Sequence, residues 1–136
     1  MRLRISRLVA NTRTSQTINQ PIACVSAGDV ERIVRRDFPK EHVNPVMETL
    51  GNYARESGSR ELARVQVAAL KLAQGDLESL QKWISAATRD YRDVLAAAEY
   101  PQCIQRGMFA LRELPAKEKQ QIIDNDWKQY QEWLLK

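Results

Sequence analysis

The chain has 136 residues, 43% of them hydrophobic and 28% charged, which is the balance of one globular domain with a real core. No apolar run approaches the roughly 20 residues that cross a bilayer, and the first 25 residues lack the apolar centre of a secretory signal. The net charge of +4 is unevenly spread: residues 1–28 hold Arg2, Arg4, Arg7 and Arg13 and no acid, and the rest of the chain carries 17 basic against 17 acidic residues. The excess is thus a property of the N-terminal fifth, and a neutral body argues against a nucleic-acid-binding face on the folded domain.

Residues 1–25 read as a basic, polar arm rich in Arg, Ser, Thr, Asn and Gln. Acid-poor, Arg- and Ser-rich starts also occur in organelle transit peptides, but the apolar face is poor here and Thr and Asn dominate after Val9. Leu3 and Ile5 alternate with Arg4, and 22–25 is β-prone, so an extended arm or weak hairpin and a plain tail both fit. Arg2, Arg4, Arg7 and Arg13 are candidate phosphate contacts, since any arginine gains from a nearby phosphate.

From Ser26 to residue 136 the pattern is helical. Ser26 is a candidate N-cap with Asp29 three residues on, followed by Val30, Ile33 and Val34 on one face and a stop at Phe38-Pro39. Asn44 and Pro45 signal a second start, as cap and first helical residue, with Val46, Met47, Leu50 and Tyr53 at helical spacing. "SGS" at 57–59 separates it from "RELARVQVAALKLA", which is apolar around most of its circumference and is expected at the centre of the bundle. Gly75 suits a C′ position, and Asp76 caps the next helix. Leu77, Leu80, Ile84, Ala87, Tyr91, Val94 and Ala98 then form an alternating 3-4 seam, which predicts one helix over 77–99 packed against its predecessor. A weaker helix is expected over 103–112. The last begins with Pro115 in its first turn and carries Ile123, Trp127, Tyr130 and Leu134 as its stripe. The fold class is therefore an all-α, single-domain bundle of five or six helices with short connections.

"DYRDVLAAAEYP" at 90–101 concentrates the polar chemistry. On a helix Asp90 and Asp93 share a face, and Arg89 is placed to pair with Asp93. Tyr91, Val94, Leu95 and Ala98 are expected inside, and Asp90, Asp93 and Glu99 outside. Carboxylates do acid/base work only where their surroundings separate their pKa values, so exposed aspartates beside arginines read as a solvated face rather than an enzyme's centre. A metal site would need more oxygen ligands or histidines, and the Glu-x-x-His of di-iron bundles is missing. His42, the only histidine, suits a surface or capping role. Cys24 and Cys103 form no Cys-x-x-Cys pair and read as reduced thiols of a cytoplasmic protein. No cofactor, metal or membrane contact is indicated.

The C-terminal "DWKQYQEWLL" packs Trp127, Tyr130 and Trp133 into seven residues, a candidate partner-binding cluster because aromatic side chains dominate interface hot spots. The plainer reading docks Trp127 and Tyr130 onto the bundle and leaves Trp133 at the stripe's edge. From residue 60 on, "DYRDVLAAAEYP" and "DWKQYQEWL" in particular resemble a group of small bacterial helical proteins carried as uncharacterised. The resemblance covers roughly the last two thirds of the chain, implies a bacterial cytoplasmic helical protein, and carries over no functional residue. The first expectation is a non-enzymatic protein-interaction or regulatory protein. The alternatives are a nucleic-acid-associated protein using the arm, and a metal-dependent or acid/base enzyme centred on 90–99.

Overall fold

The computed structural model describes residues 18–57 and 61–136. Arg2, Arg4, Arg7 and Arg13, and Gly58 and Ser59 of the "SGS" stretch, lie outside the described residues. Among those described there is no strand, and the chain forms an all-α single domain. No described helix is long and apolar enough to cross a membrane.

Helix α1 (Ala27–Asp37) starts in a capping box: Ser26 Oγ accepts the Asp29 N–H at 3.3 Å and the Asp29 carboxylate accepts the Ser26 N–H at 2.9 Å. Its Val30, Ile33 and Val34 are buried, and Phe38 leaves the helix with extended backbone before Pro39. The second start differs from expectation. A 3₁₀ turn, Lys40–His42, comes first, and α2 (Val43–Ser57) begins one residue before Asn44. Pro45 still sits in the first turn, where helical N–H groups have no intrahelical partner. Val46, Leu50 and Tyr53 are buried, whereas Met47 is an exposed large apolar side chain.

Helix α3 (Leu62–Ala73) is the central helix, with Val65, Val67, Ala68, Ala69, Leu70 and Ala73 buried around it. It contacts α1, α2 and above all α4. Gln74 and Gly75 end it in left-handed backbone with φ 51° and 79°, Gly75 at C′. Asp76 then caps α4 (Leu77–Glu99) by accepting the Ser79 N–H at 2.8 Å. The expected seam packs inward through Leu80, Ile84, Ala87, Val94 and Ala98, while Leu77 and Tyr91 are half-buried. The helix is not continuous, however: Asp90 has φ −157° and ψ 99°, so α4 kinks there.

The weaker helix predicted over 103–112 is two, α5 (Pro101–Arg106) and α6 (Met108–Glu113), divided at Gly107 with φ 91° and ψ 151°. That backbone region is essentially glycine's alone. Helix α7 (Ala116–Leu134) follows, with Pro115 at its N-cap rather than inside its first turn. It packs on α5 and α4 through Ile122, Ile123, Asp126 and Tyr130.

Candidate binding groove

The polar residues of 90–99 do not form one site. Asp90 acts as an N-cap for the second half of α4: Oδ1 accepts both the backbone N–H and the Nε–H of Arg92 at 3.1 Å. These bonds hold its carboxyl below the usual carboxylate range. The expected Arg89–Asp93 ion pair is absent among the described residues; Arg92 pairs with Asp90 instead. Glu99 corrects the outward assignment. It is 1% exposed and accepts two hydrogen bonds from Arg64 of α3, from Nε at 2.9 Å and from Nη2 at 2.8 Å. Arg64 also donates to Glu61 through Nη1. The Glu99 hydrogen bonds, working against desolvation, raise the Arg64 pKa and keep the guanidinium charged.

The C-terminal aromatics are largely engaged by the bundle. Tyr130 is fully buried, and Trp127 and Trp133 pack against the core. Trp133 stacks on Tyr130 with ring centres 5.8 Å apart, Arg36 lies 4.9 Å above Trp133, and Lys71 lies 5.8 Å from the Tyr130 centre. Arg36 Nη1 and Arg32 Nη2 also donate to the carbonyls of Trp133 and Leu134, at 2.8 and 3.0 Å. A cavity of about 490 Å³ opens between Arg36, Lys71, Gly75 and Trp133. The C-terminal ends of α1, α3 and α7 meet here, so its cations answer helix ends that are themselves negative. Burial lowers the Lys71 pKa further, which opposes an anion site.

The larger cavity, about 760 Å³, lies where α4, α5 and α6 meet residues 20–22. Its walls are mainly apolar, with Ile22, Leu95, Ile104, Leu111 and Ile123, and Glu61, Arg64, Arg92 and Glu99 also line it. One lip is the end of the arm. Tyr100 Oη donates to the Pro21 carbonyl at 2.6 Å, the Asn19 N–H donates to Gln120 Oε1 at 2.8 Å, and Gln120 Nε2 returns a bond to the Asn19 carbonyl at 2.7 Å. Ala23 is buried just beyond. Helix α5, on the facing side, is anchored by Asp126 of α7, whose two oxygens accept the Gln102 and Cys103 N–H groups at 3.1 and 3.0 Å. The Arg64–Glu99 pair borders the polar end.

The groups at that end are poorly placed to move protons near neutral pH. Burial, reinforced by a hydrogen bond and charge from Asp126, pushes the Cys103 thiol up to about 11, so little thiolate forms. Burial and the neighbouring Glu99 charge also raise the Tyr100 phenol. Cys24 and Cys103 are both free, and no group of three metal-ligating side chains occurs among the described residues.

Local sequence patterns missed the groove because its lip joins residues 79 and 101 positions apart. Asp126 did leave a signal: with Ile123, Trp127 and Tyr130 it continues the 3-1-3 inward stripe, and a carboxylate on such a stripe needs buried donors. Arg64, a cation in the first turn of the mostly apolar α3, is a comparable sign. The fold and groove define a small all-α protein with an apolar cleft closed on one side by its own N-terminal segment. No protein family, curated protein or solved structure matches the chain.

Proposed function

We propose that the chain is a non-enzymatic helical interaction or regulatory protein of the cytoplasm, and that the groove receives an apolar segment of a partner protein. One observation carries the reading. Of the five exposed large apolar side chains among the described residues, Ile22 at 66% and Ile104 at 53% line this groove, and Phe109 at 80% belongs to adjoining α6. Clustered exposed apolar surface is the mark of a contact site, and side chains that resist ionisation favour packing over chemistry. The Arg64–Glu99 pair at one end would set the register of an incoming segment by excluding apolar side chains there. The test is photo-crosslinking in the cells that make the protein, with a benzophenone side chain at position 104 and, as control, at exposed Met47. A discrete protein adduct from 104 alone supports the reading. Equal adducts from both positions, or none from 104, reject it.

A further inference from the structure

We propose that in the free protein the groove is filled by residues 3–9 of the chain's own arm, so that a partner binds by displacing them. The inference rests on the reading that the groove takes an apolar peptide segment. It starts from where the described chain begins. Asn19 is bonded in both directions to Gln120, and Pro21 and Ile22 form the groove's lip. The described chain therefore begins beside the edge of the cavity, with 17 residues of the sequence preceding Ile18.

Their composition matches the walls. "LRISRLV" at 3–9 holds Leu3, Ile5, Leu8 and Val9 in seven positions, whereas 10–17 holds only Ala10 as an apolar residue. The intervening Arg4 and Arg7 meet a rim that offers carboxylates. Glu61 lines the groove with its side chain 45% exposed, and it already accepts a hydrogen bond from Arg64. Asp93 is exposed one turn before Ala96 and has no salt bridge among the described residues. The rim arginine, Arg92, is already paired with Asp90.

Reach is sufficient. Nine residues from Val9 to Ile18 span at most roughly 30 Å, which allows 3–9 to lie along α5 and α6. A short tether gives an effective concentration on the order of millimolar, so even a weak contact is kept. An outside segment has to bind more tightly than that to take its place.

The full chain with a photo-reactive side chain in place of Leu8 tests this in dilute solution. The expected product keeps the monomer mass, with the adduct on the peptide containing Ile104 or Leu111, and Ile104→Asp removes it. Adducts confined to other surfaces, to a second copy or to added nucleic acid, or no adduct, overturn the proposal. A second measurement titrates a fluorescent peptide of residues 1–17 against the full chain and against its Leu3→Asp, Ile5→Asp, Leu8→Asp variant. Binding tighter by tenfold or more to the variant is expected, because its own arm no longer competes; equal binding overturns the proposal. Should the Leu8 adduct fail while position 104 still captures a partner, the interaction reading stands alone. A Leu8 adduct with no capture from 104 leaves the groove filled and removes the partner.

Discussion

Glu99 shows how one buried charge constrains its surroundings. A carboxylate 1% exposed is tolerated because Arg64 brings two hydrogen bonds to it. Breaking such a pair leaves a stranded charge, whereas replacing both partners by apolar residues is often neutral or stabilising. Arg64→Ala is therefore expected to lose about 3–5 kcal/mol. Arg64→Met with Glu99→Leu should recover most of it, as read from denaturant melts; equal losses in both variants would show that the ion pair itself holds the fold. Tyr130 presents the opposite case, a fully buried hydroxyl with no hydrogen-bond partner among the described residues. Removing an unsatisfied group removes its desolvation cost, so Tyr130→Phe should stabilise by about 1 kcal/mol at neutral pH. Burial raises this phenol's pKa above its ordinary value of about 10. The folded state thus holds the proton longer, and stability declines as pH rises from about 10 toward the folded value. The Phe variant should lose less stability between pH 9 and 11; identical alkaline losses would mean the hydroxyl reaches water.

At the scale of elements, the helix starts were legible where a side chain answers a nearby backbone group, as Ser26 and Asp76 do. The kink at Asp90 was not. The 3-4 seam passes through it, with Ala87 before and Val94 and Ala98 after all buried. Hydrophobic spacing reports which side faces the core, and it is silent on a break at a polar position. Asp competes with the helix by bonding local backbone N–H groups. Asn caps as well as Asp, so Asp90→Asn with Asp93→Asn should leave the melting temperature unchanged, and Asp90→Ala should lower it. A double Asn variant that melts early would show that charge, not capping, matters there. The two glycines at helix junctions separate strain from crowding. A Cβ at Gly107 meets nothing within 4 Å, but its φ of 91° remains unfavourable for an L side chain, so Gly107→Ala should cost about 1–3 kcal/mol. At Gly75, φ is 79° and the added Cβ would lie 2.9 Å from the Asp37 carbonyl oxygen. Gly75→Ala should therefore destabilise more; the reverse order in melts would show that the α1–α3 junction yields readily.

For the whole molecule, the boundary between arm and bundle matters most. Composition separates residues 1–25 from the rest, yet the last eight of them lie along the bundle and supply the groove's lip. Their anchors, Tyr100 and Gln120, come from α4's end and from α7. Such contacts join distant stretches and have no period, which is why the bundle was readable from the sequence and the groove was not. The aromatic cluster is the opposite case: Tyr130 and Trp133 are conspicuous in sequence, and their rings meet each other, Arg36 and Lys71, as the plainer reading of a helix docked on the bundle expects for Tyr130. Two shortened chains separate the arm's parts. Starting at Ile18 keeps every described contact of the lip and removes only what residues 3–9 add in the groove, so its melt should fall less than that of the shorter chain. Starting at Ser26 removes the Pro21 carbonyl, both Asn19 bonds and the buried Ala23. With net contributions of about 0.5–1.5 kcal/mol per hydrogen bond, and less where the pair is exposed, the loss should be about 1–3 kcal/mol. The melting temperature should then fall by roughly 2–8 °C per kcal/mol. Helical circular dichroism should persist, because the α1–α4 packing is untouched apart from Ala23. An unfolded product would make the lip part of the folding core, and an unchanged melt would show that its hydrogen bonds contribute nothing net over those made to water.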